Sequence, residues 1–389
     1  MRVIMLSGEY PPNMVGGLGK HVADLAPALG AEGVELHVIT PIQQNRTTVT
    51  VEDGVTVHRV STTVDEAADI HAETVAVNEQ LAAYALEWSP TQPCIIHVHD
   101  WLGSFAGIAL QRAWHMPLVA TIHATEQGRW HGQIDQSQHL QRAINQADAN
   151  LANQASRIIV CSHHMLNEIQ SFFGVSAEKI DIIPNGIHST KLLASTDELN
   201  TFRAKYGSSE TVLIYTVARL VYEKGIQVLI STMSHVLPHY PQTQLLIAGK
   251  GPATAELQQL THDLGITDHV TFLGFVSDTE RDIFFKVADL AVIPSLYEPF
   301  GIVALEAMAL SCPVVVSDTG GLAEVVEHQV SGLTVPPDNV SALSTAIMEI
   351  LSDRPKTEQY INEAKERVKT VFNWQLIARQ TIQLYERLN

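Results

Sequence analysis

Glu298 and Glu306 stand eight positions apart in the segment Pro294-Ser295-Leu296-Tyr297-Glu298-Pro299-Phe300-Gly301-Ile302-Val303-Ala304-Leu305-Glu306-Ala307-Met308. Pro299 and Gly301 are turn residues, and the apolar run after them predicts a helix. Glu298 then belongs to the loop, and Glu306 lies about two helical turns further on, over a similar face. The start of that helix, at Gly301, Ile302 and Val303, offers backbone N–H groups and the positive end of the helix dipole. Two carboxylates beside an anion site suit a ligand with a charged centre and hydroxyls on both sides, as a nucleotide sugar has. A capping Glu followed by a solvated Glu is the plain alternative, and Leu305, Ala307 and Met308 around Glu306 speak against it.

Cations are the second ingredient. Arg219 and Lys224 follow the apolar run Val212–Val217 in Ala218-Arg219-Leu220-Val221-Tyr222-Glu223-Lys224-Gly225. Arg grips a phosphate through two donors, and Lys acts as a point charge on a mobile stem. Near the start, Gly16-Gly17-Leu18-Gly19-Lys20 lets backbone amides approach a ligand at a helix start, with Lys20 as a third cation. It is neither a Walker A loop, since His21 follows the lysine, nor a G-x-G-x-x-G dinucleotide fingerprint. A nicotinamide dehydrogenase is therefore disfavoured.

Histidines form the third group. His97-Val98-His99-Asp100-Trp101 and Thr121-Ile122-His123-Ala124-Thr125-Glu126 each close an apolar run. Strand alternation places His97 and His99 on one side with Val98 opposite. His-x-His with Asp100 is a zinc-compatible spacing. No further cluster of ligand spacing accompanies it, so no metal ligands are assigned.

These residues need elements to hold them. Apolar β-branched runs recur at Arg2–Leu6, Glu35–Ile39, Val55–Val60, Cys94–Val98, Leu118–Ile122, Arg157–Cys161 and Ile180–Ile183. They resume at Val212–Val217, Gln244–Ala248, Val270–Leu273, Leu290–Ile293 and Pro313–Val316. Helical periodicity fills the intervals; Leu18, Val22, Leu25, Ala26 and Leu29 share one face, for example. Alternating strands and helices mean α/β architecture with parallel sheets covered on both faces. So many strands exceed one sheet, and Pro184-Asn185-Gly186 closes the first series with turn chemistry. Two doubly wound, Rossmann-like domains facing across a cleft are expected, 1–190 and 191–371. A final helix carries Trp374, Ile377, Ala378, Thr381, Tyr385 and Leu388 on one stripe. In such sheets ligands bind beyond the carboxyl ends of strands, where all the singled-out residues fall.

Composition sets the limits. The 389 residues carry 24 Lys+Arg against 42 Asp+Glu, a formal charge of −18, and are 46 % hydrophobic and 17 % charged. Such a chain buries a core and lacks the basic surface that a nucleic acid or an anionic membrane requires. No apolar stretch reaches the roughly 18 to 20 residues of a membrane span. The opening residues are too soon interrupted by Glu9 and Pro11 for a secretory signal. Three scattered cysteines, Cys94, Cys161 and Cys312, match no disulfide or zinc framework, so free thiols and a cytoplasmic setting are expected.

Taken in order, these residues resemble the retaining GT-B glycosyltransferases of the glycogen-synthase and sucrose-synthase group, glycosyltransferase family 4 in type. The resemblance covers nearly the whole chain. It runs through Gly16-Gly17-Leu18, His97-Val98-His99-Asp100-Trp101, Thr121-Ile122-His123, Pro184-Asn185-Gly186 and Arg219…Lys224-Gly225. It continues through Gly249-Lys250-Gly251-Pro252, Phe272-Leu273-Gly274, Glu298-x7-Glu306 and Gly320-Gly321-Leu322. The resemblance implies an acceptor domain (1–190) to which a C-terminal helix, 372–389, crosses back, and a donor domain (191–371). It implies a nucleotide-sugar donor and a carbohydrate acceptor, with no metal and no separate cofactor. Arg219 and Lys224 would neutralise the donor diphosphate, assisted by amides at Gly16, Gly17, Gly301, Ile302 and Val303, with Leu273 beside the nucleotide. Glu306 would bond ribose hydroxyls; Glu298 and Phe300 would meet the sugar. His123 would line the reaction centre, and Asp100 would face the acceptor. Met14 departs from the family's Lys-x-Gly-Gly-Leu, which turns the reading away from a strict ADP-glucose-dependent glycogen synthase. Ala124-Thr125-Glu126-Gln127-Gly128-Arg129 is similar to prokaryotic α-glucan synthase-like enzymes. UDP-glucose or ADP-glucose is then the expected donor, and an α-glucan or small glucoside the acceptor. A nucleotide-sugar epimerase on the same fold and a non-catalytic nucleotide-sugar binder are the competing readings.

Overall fold

A strand with no polar face has to be covered on both sides, and Arg2–Leu6 (β1) is such a strand: Val3 to Leu6 are all buried. The computed structural model describes residues 1–14, 16–64, 66–88, 92–135, 137–188 and 194–388. The boundary expected between 190 and 191 lies outside the described residues. The chain folds as two units, Met1–Gly186 with Trp374–Asn389, and Ile187–Asn373.

The first unit continues with β2 (Glu35–Ile42), β3 (Thr48–Glu52), β4 (Val55–Ser61), β5 (Cys94–His99), β6 (Leu118–Ile122), β7 (Arg157–Val160) and β8 (Ile180–Ile182). Their order in the sheet is β3-β4-β2-β1-β5-β6-β7-β8. All neighbours are parallel except β3, which pairs antiparallel with β4. The second unit holds β9 (Val212–Val217), β10 (Thr243–Ala248), β11 (Val270–Gly274), β12 (Leu290–Ile293), β13 (Val314–Ser317) and β14 (Leu333–Val335). They form a parallel sheet ordered β11-β10-β9-β12-β13-β14. Both units are thus Rossmann-like, and each sheet reverses its winding once, at β1/β5 and at β9/β12. A crevice at the carboxyl ends of the strands follows from that reversal.

Two strands differ from the sequence reading. Thr48–Glu52 has both valines, Val49 and Val51, exposed, so no buried face marks it; pairing with β4 and the Glu52–Arg59 ion pair hold it. Leu333–Val335 has only three residues, too few for a periodicity to register.

The helix Gly17–Ala31 buries Leu18, Val22, Leu25, Ala26 and Leu29, the expected stripe. Against it packs the helix Trp374–Glu386, whose Trp374, Ile377, Ala378, Leu384 and Tyr385 complete the first unit's core. The chain therefore returns to the first unit after the second is made. Phe372, expected at the start of this helix, instead stacks edge-on with Phe300 inside the second unit. The three cysteines are buried free thiols. Among the described residues, no helix is long and apolar enough to cross a membrane.

Candidate active site

In the second unit the loops after β9 and β12 lie directly on each other. Gly225 has φ +67, and a Cβ there would run into the carbonyl of Pro294, so only glycine allows the approach. The amides of Leu296 and Tyr297 both donate to the carbonyl of Glu223, at 2.8 and 3.2 Å. Lys224 Nζ consequently reaches Glu298 and donates to Oε2 at 2.9 Å, with Ser295 Oγ donating to the same oxygen at 3.3 Å. Arg219 stands beside them, its side chain 56 % exposed and 3.2 Å from Glu223. The Glu298 loop is backed by the Gly320-Gly321 turn: Gly321 N donates to Glu298 O at 2.9 Å, and Gly320 has φ +54 where a Cβ would strike that carbonyl.

The helix expected after this loop is Ile302–Ala309, entered through Gly301 at φ +109. Ile302 and Val303 form its half-buried first turn. Phe300 is turned into the packing against Phe372, with ring centroids 6.0 Å apart. Glu306 is buried as expected from its neighbours, at 5 % exposure, and its Oε2 lies 3.4 Å from Arg281 Nε. Arg281 comes from the helix Asp278–Val287, which opens with a Ser277/Glu280 capping box. The two carboxylates therefore engage different cations. Leu273 lies half-buried near the end of β11. There Gly249 N donates to Gly274 O at 2.7 Å, and Leu220 N to Lys250 O at 3.0 Å, tying the ends of β9, β10 and β11 together.

In the first unit, Gly16 and Gly17 are exposed at the start of the first helix. The Gly16 amide is held by Glu9 Oε2 at 3.1 Å, so an internal carboxylate sits at the turn expected to favour an anion. His97 and His99 do share one side of β5, with ring centroids 4.4 Å apart. His97 is saturated: Nδ1 is 2.6 Å from Tyr385 Oη and Nε2 is 2.7 Å from Thr121 Oγ1. His99 Nδ1 lies 3.1 Å from His123 Nε2. Asp100 has φ +54, an uncommon backbone for a non-glycine residue, and its Oδ1 accepts from the His123 amide at 2.6 Å. Burial pushes the Asp100 carboxyl up to about 7, against the pull of the His123 and Ala124 amides and Arg129. Burial likewise holds His97 and His123 down to about 3 and His99 and His21 well below 6.5, each reinforced by neighbouring imidazoles.

The loop that follows His123 is anchored from outside by buried acids. Thr125 Oγ1 donates to Glu168 at 3.1 Å, and the Glu126 amide donates to Asp148 at 2.9 Å. The zinc spacing of His97, His99 and Asp100 is not the cluster that forms, because His97 and Asp100 are engaged elsewhere. His21, His99 and His123 come together instead. His21 went unassigned in the sequence, although it lies three residues after Leu18 and four before Leu25, on the buried stripe.

The pattern that defines Glycosyltransferase Family 4 matches residues 15–191, and that of Glycosyl transferases group 1 matches residues 199–367. An uncharacterized glycosyltransferase of Methanocaldococcus jannaschii is 35% identical over 99% of this chain and 98% of its own length. A glycogen synthase of Mycobacterium tuberculosis is 34% identical over 99% of this chain and 94% of its own. Among solved structures, sucrose-phosphate synthase from Thermosynechococcus elongatus superposes with a TM-score of 0.83 at 26% identity, covering 100% of this chain and 99% of that one. With two parallel Rossmann-like sheets, an Arg/Lys pair and a Glu-x7-Glu element at one reversal point and relatives over its whole length, the chain belongs to the GT-B glycosyltransferases of the family 4, glycogen and sucrose synthase-like type, which transfer a sugar from a nucleotide sugar.

Proposed function

We propose that the protein transfers a hexosyl group, glucosyl, with retention from UDP-glucose or ADP-glucose to a hydroxyl of an α-glucan or small glucoside. It needs neither a metal ion at the diphosphate nor a resident cofactor. The observation that carries this reading is the Lys224–Glu298 pair at the reversal point of the second sheet, with Arg219 exposed beside it. Breaking the bond between the anomeric carbon and the diphosphate leaves negative charge on phosphate and positive character on the sugar. Two cations at that point stabilise the leaving group as it forms. As Lys224 turns toward phosphate, its hold on Glu298 loosens, and the carboxylate becomes available to sugar hydroxyls. The amides at Gly301 to Val303 add donors, and so do Gly16 and Gly17 where a ligand displaces Glu9.

Glu306, held by Arg281, suits ribose hydroxyls. Leu273 lies among the joined loops of β9 to β11, on the nucleotide side, while Phe300 contributes through its backbone position next to Gly301. In the first unit, His123 serves the reaction centre and Asp100 fixes the strand end that carries it, on the acceptor side. A donor-phosphate oxygen then takes the acceptor proton; retention is supported by the family type, not by carboxylate spacing. The glycogen synthase relative supports glucose and an α-glucan acceptor, and three buried thiols suit a reducing cytoplasm.

The test is nucleotide release from UDP- or ADP-glucose, with and without maltooligosaccharide, in EDTA. Release should require acceptor, persist in EDTA and fall at least about 100-fold in Arg219→Ala. Strict dependence on a divalent ion overturns the metal-free reading. An epimerised sugar nucleotide without glycoside makes the protein an epimerase, and donor binding without any product makes it a binding protein. A panel of UDP-, ADP- and GDP-sugars, read by the rise in melting temperature, identifies the donor.

A further inference from the structure

The four histidines His21, His97, His99 and His123, which gather around the ends of β5 and β6, are not equivalent. His97 uses both ring nitrogens, whereas Nε2 of His99 is buried without a hydrogen-bond partner and neither nitrogen of His21 makes a well-formed hydrogen bond, Asn185 being its polar neighbour. His21 is 4 % exposed. Buried ring nitrogens without partners are costly and rare. The three rings that are not saturated also converge: His21 stands 4.6 Å from His123 and 5.4 Å from His99, centroid to centroid. One nitrogen from each of His21, His99 and His123 can be chosen so that all lie within 4.8 Å of one another.

We propose that His21, His99 and His123 form a binding site for one divalent transition-metal ion, with zinc as its probe, and that the bound ion inhibits transfer by capturing the His123 imidazole. Nitrogens about 2.0–2.1 Å from a tetrahedral ion lie roughly 3.3 Å apart. His99 Nδ1 and His123 Nε2, 3.1 Å apart, already have that spacing; for both to face the ion, the proton between them moves to the other nitrogen of its ring, and rotation of the His21 ring supplies the third ligand. Burial keeps these imidazoles neutral, so each has a lone pair to offer. Three imidazoles suit zinc, cobalt or nickel; magnesium and calcium prefer oxygen ligands and are excluded. His97, tilted against His99 with centroids 4.4 Å apart and fixed by Tyr385, braces the ring from behind. Asp24 lies close enough to favour positive charge at His21. The inhibitory part rests on the role proposed above for His123; the binding part does not.

The chelator-treated full chain is titrated with Zn²⁺ calorimetrically and with Co²⁺ by visible absorption. One ion per chain with a four- or five-coordinate Co²⁺ band is expected, lost in His21→Gln and kept in His58→Gln, which disrupts the separate His37–His58 pair. X-ray absorption of the zinc-loaded wild-type chain should show three imidazole ligands, a readout that does not depend on a variant folding. No stoichiometric binding, fewer than three imidazoles, or loss of binding in His58→Gln overturns the site. One equivalent of zinc should lower turnover at least tenfold, reversed by EDTA, while Mg²⁺ should leave it unchanged. Binding without inhibition overturns the inhibitory part and the role of His123, and leaves the site standing.

Discussion

At the ends of β5 and β6 the first unit gathers imidazoles that burial keeps uncharged, whereas at the ends of β9 and β12 the second gathers ammonium, guanidinium and carboxylate groups that neutralise one another. Both sets lie at the carboxyl ends of parallel strands, next to the point where the sheet reverses its winding. The scaffold therefore chooses where chemistry happens, and the loop residues choose whether it is run by lone pairs or by charge. A neutral set is sensitive to protons and transition metals; a charged set is sensitive to anions that compete for its cations.

The sharpest way to break this contrast is Lys224→Met. It removes a cation from the leaving group and strands Glu298, so turnover should fall about 10²–10³-fold in a steady-state nucleotide-release assay. A loss below tenfold would mean that the charged set is not where the bond breaks. Next comes Arg281→Leu, which takes the guanidinium away from the buried Glu306 and from Asp282. Urea unfolding should show a loss of about 3 kcal/mol, largely recovered when Glu306→Leu is added. If the single variant is neutral, Glu306 is held by something other than charge.

The remaining predictions separate neutral from charged groups within the first unit. His58 is held down to about 4, first by burial and then by His37. Its folded value lies below its unfolded one, so its contribution is full above pH 6.5 and is lost as pH falls toward 4. Relative to pH 8, the loss at pH 5 should be about 2 kcal/mol, and His58→Gln should flatten that limb of the stability curve. Glu52 is held down to about 2, mainly by hydrogen bonds from Arg59. Its contribution is present above about pH 4.5 and is lost as pH falls through 2. Because Glu52 is partly exposed, Glu52→Gln should lower stability by less than about 1 kcal/mol above pH 4.5, a difference that vanishes as pH falls through 2.

Much of the architecture was legible because buried parallel strands announce themselves as apolar runs: β1, β6, β9 and β12 begin and end where the runs do. What escaped has physical reasons. β3 carries its valines outward, and β14 is only three residues, Leu333 to Val335, set between Gly332 and Pro336, so no apolar run marks it. For the site, strand ends and turn residues placed Arg219, Lys224, Glu298 and His123 just beyond strands and His97 and His99 on one side of β5, since those positions depend on local chain chemistry. Partners depend on tertiary packing, and sequence spacing does not encode it. Thus Arg281 opposite Glu306, Glu9 on the Gly16 amide and Asp100 on the His123 amide appear only in the folded chain. His21 left a trace, a polar residue on an apolar stripe, but its meaning needed β5 and β6 to arrive beside it.

The return of the chain to its first unit has a consequence during synthesis. Domains commonly fold from the N-terminus as they leave the ribosome. Here the first sheet to emerge lacks the helix Trp374–Glu386 until Ile187–Asn373 has been made. At about 5–20 residues per second those 187 residues take roughly 10–40 s, during which the Leu18, Val22 and Leu25 face stays uncovered and His97 lacks its tyrosine. The second unit, contiguous in sequence, is the one equipped to finish first. Chains released early, before residue 374, would carry a complete second unit and a first unit with an open apolar face, a species that chaperones and proteases would meet well before the protein is whole.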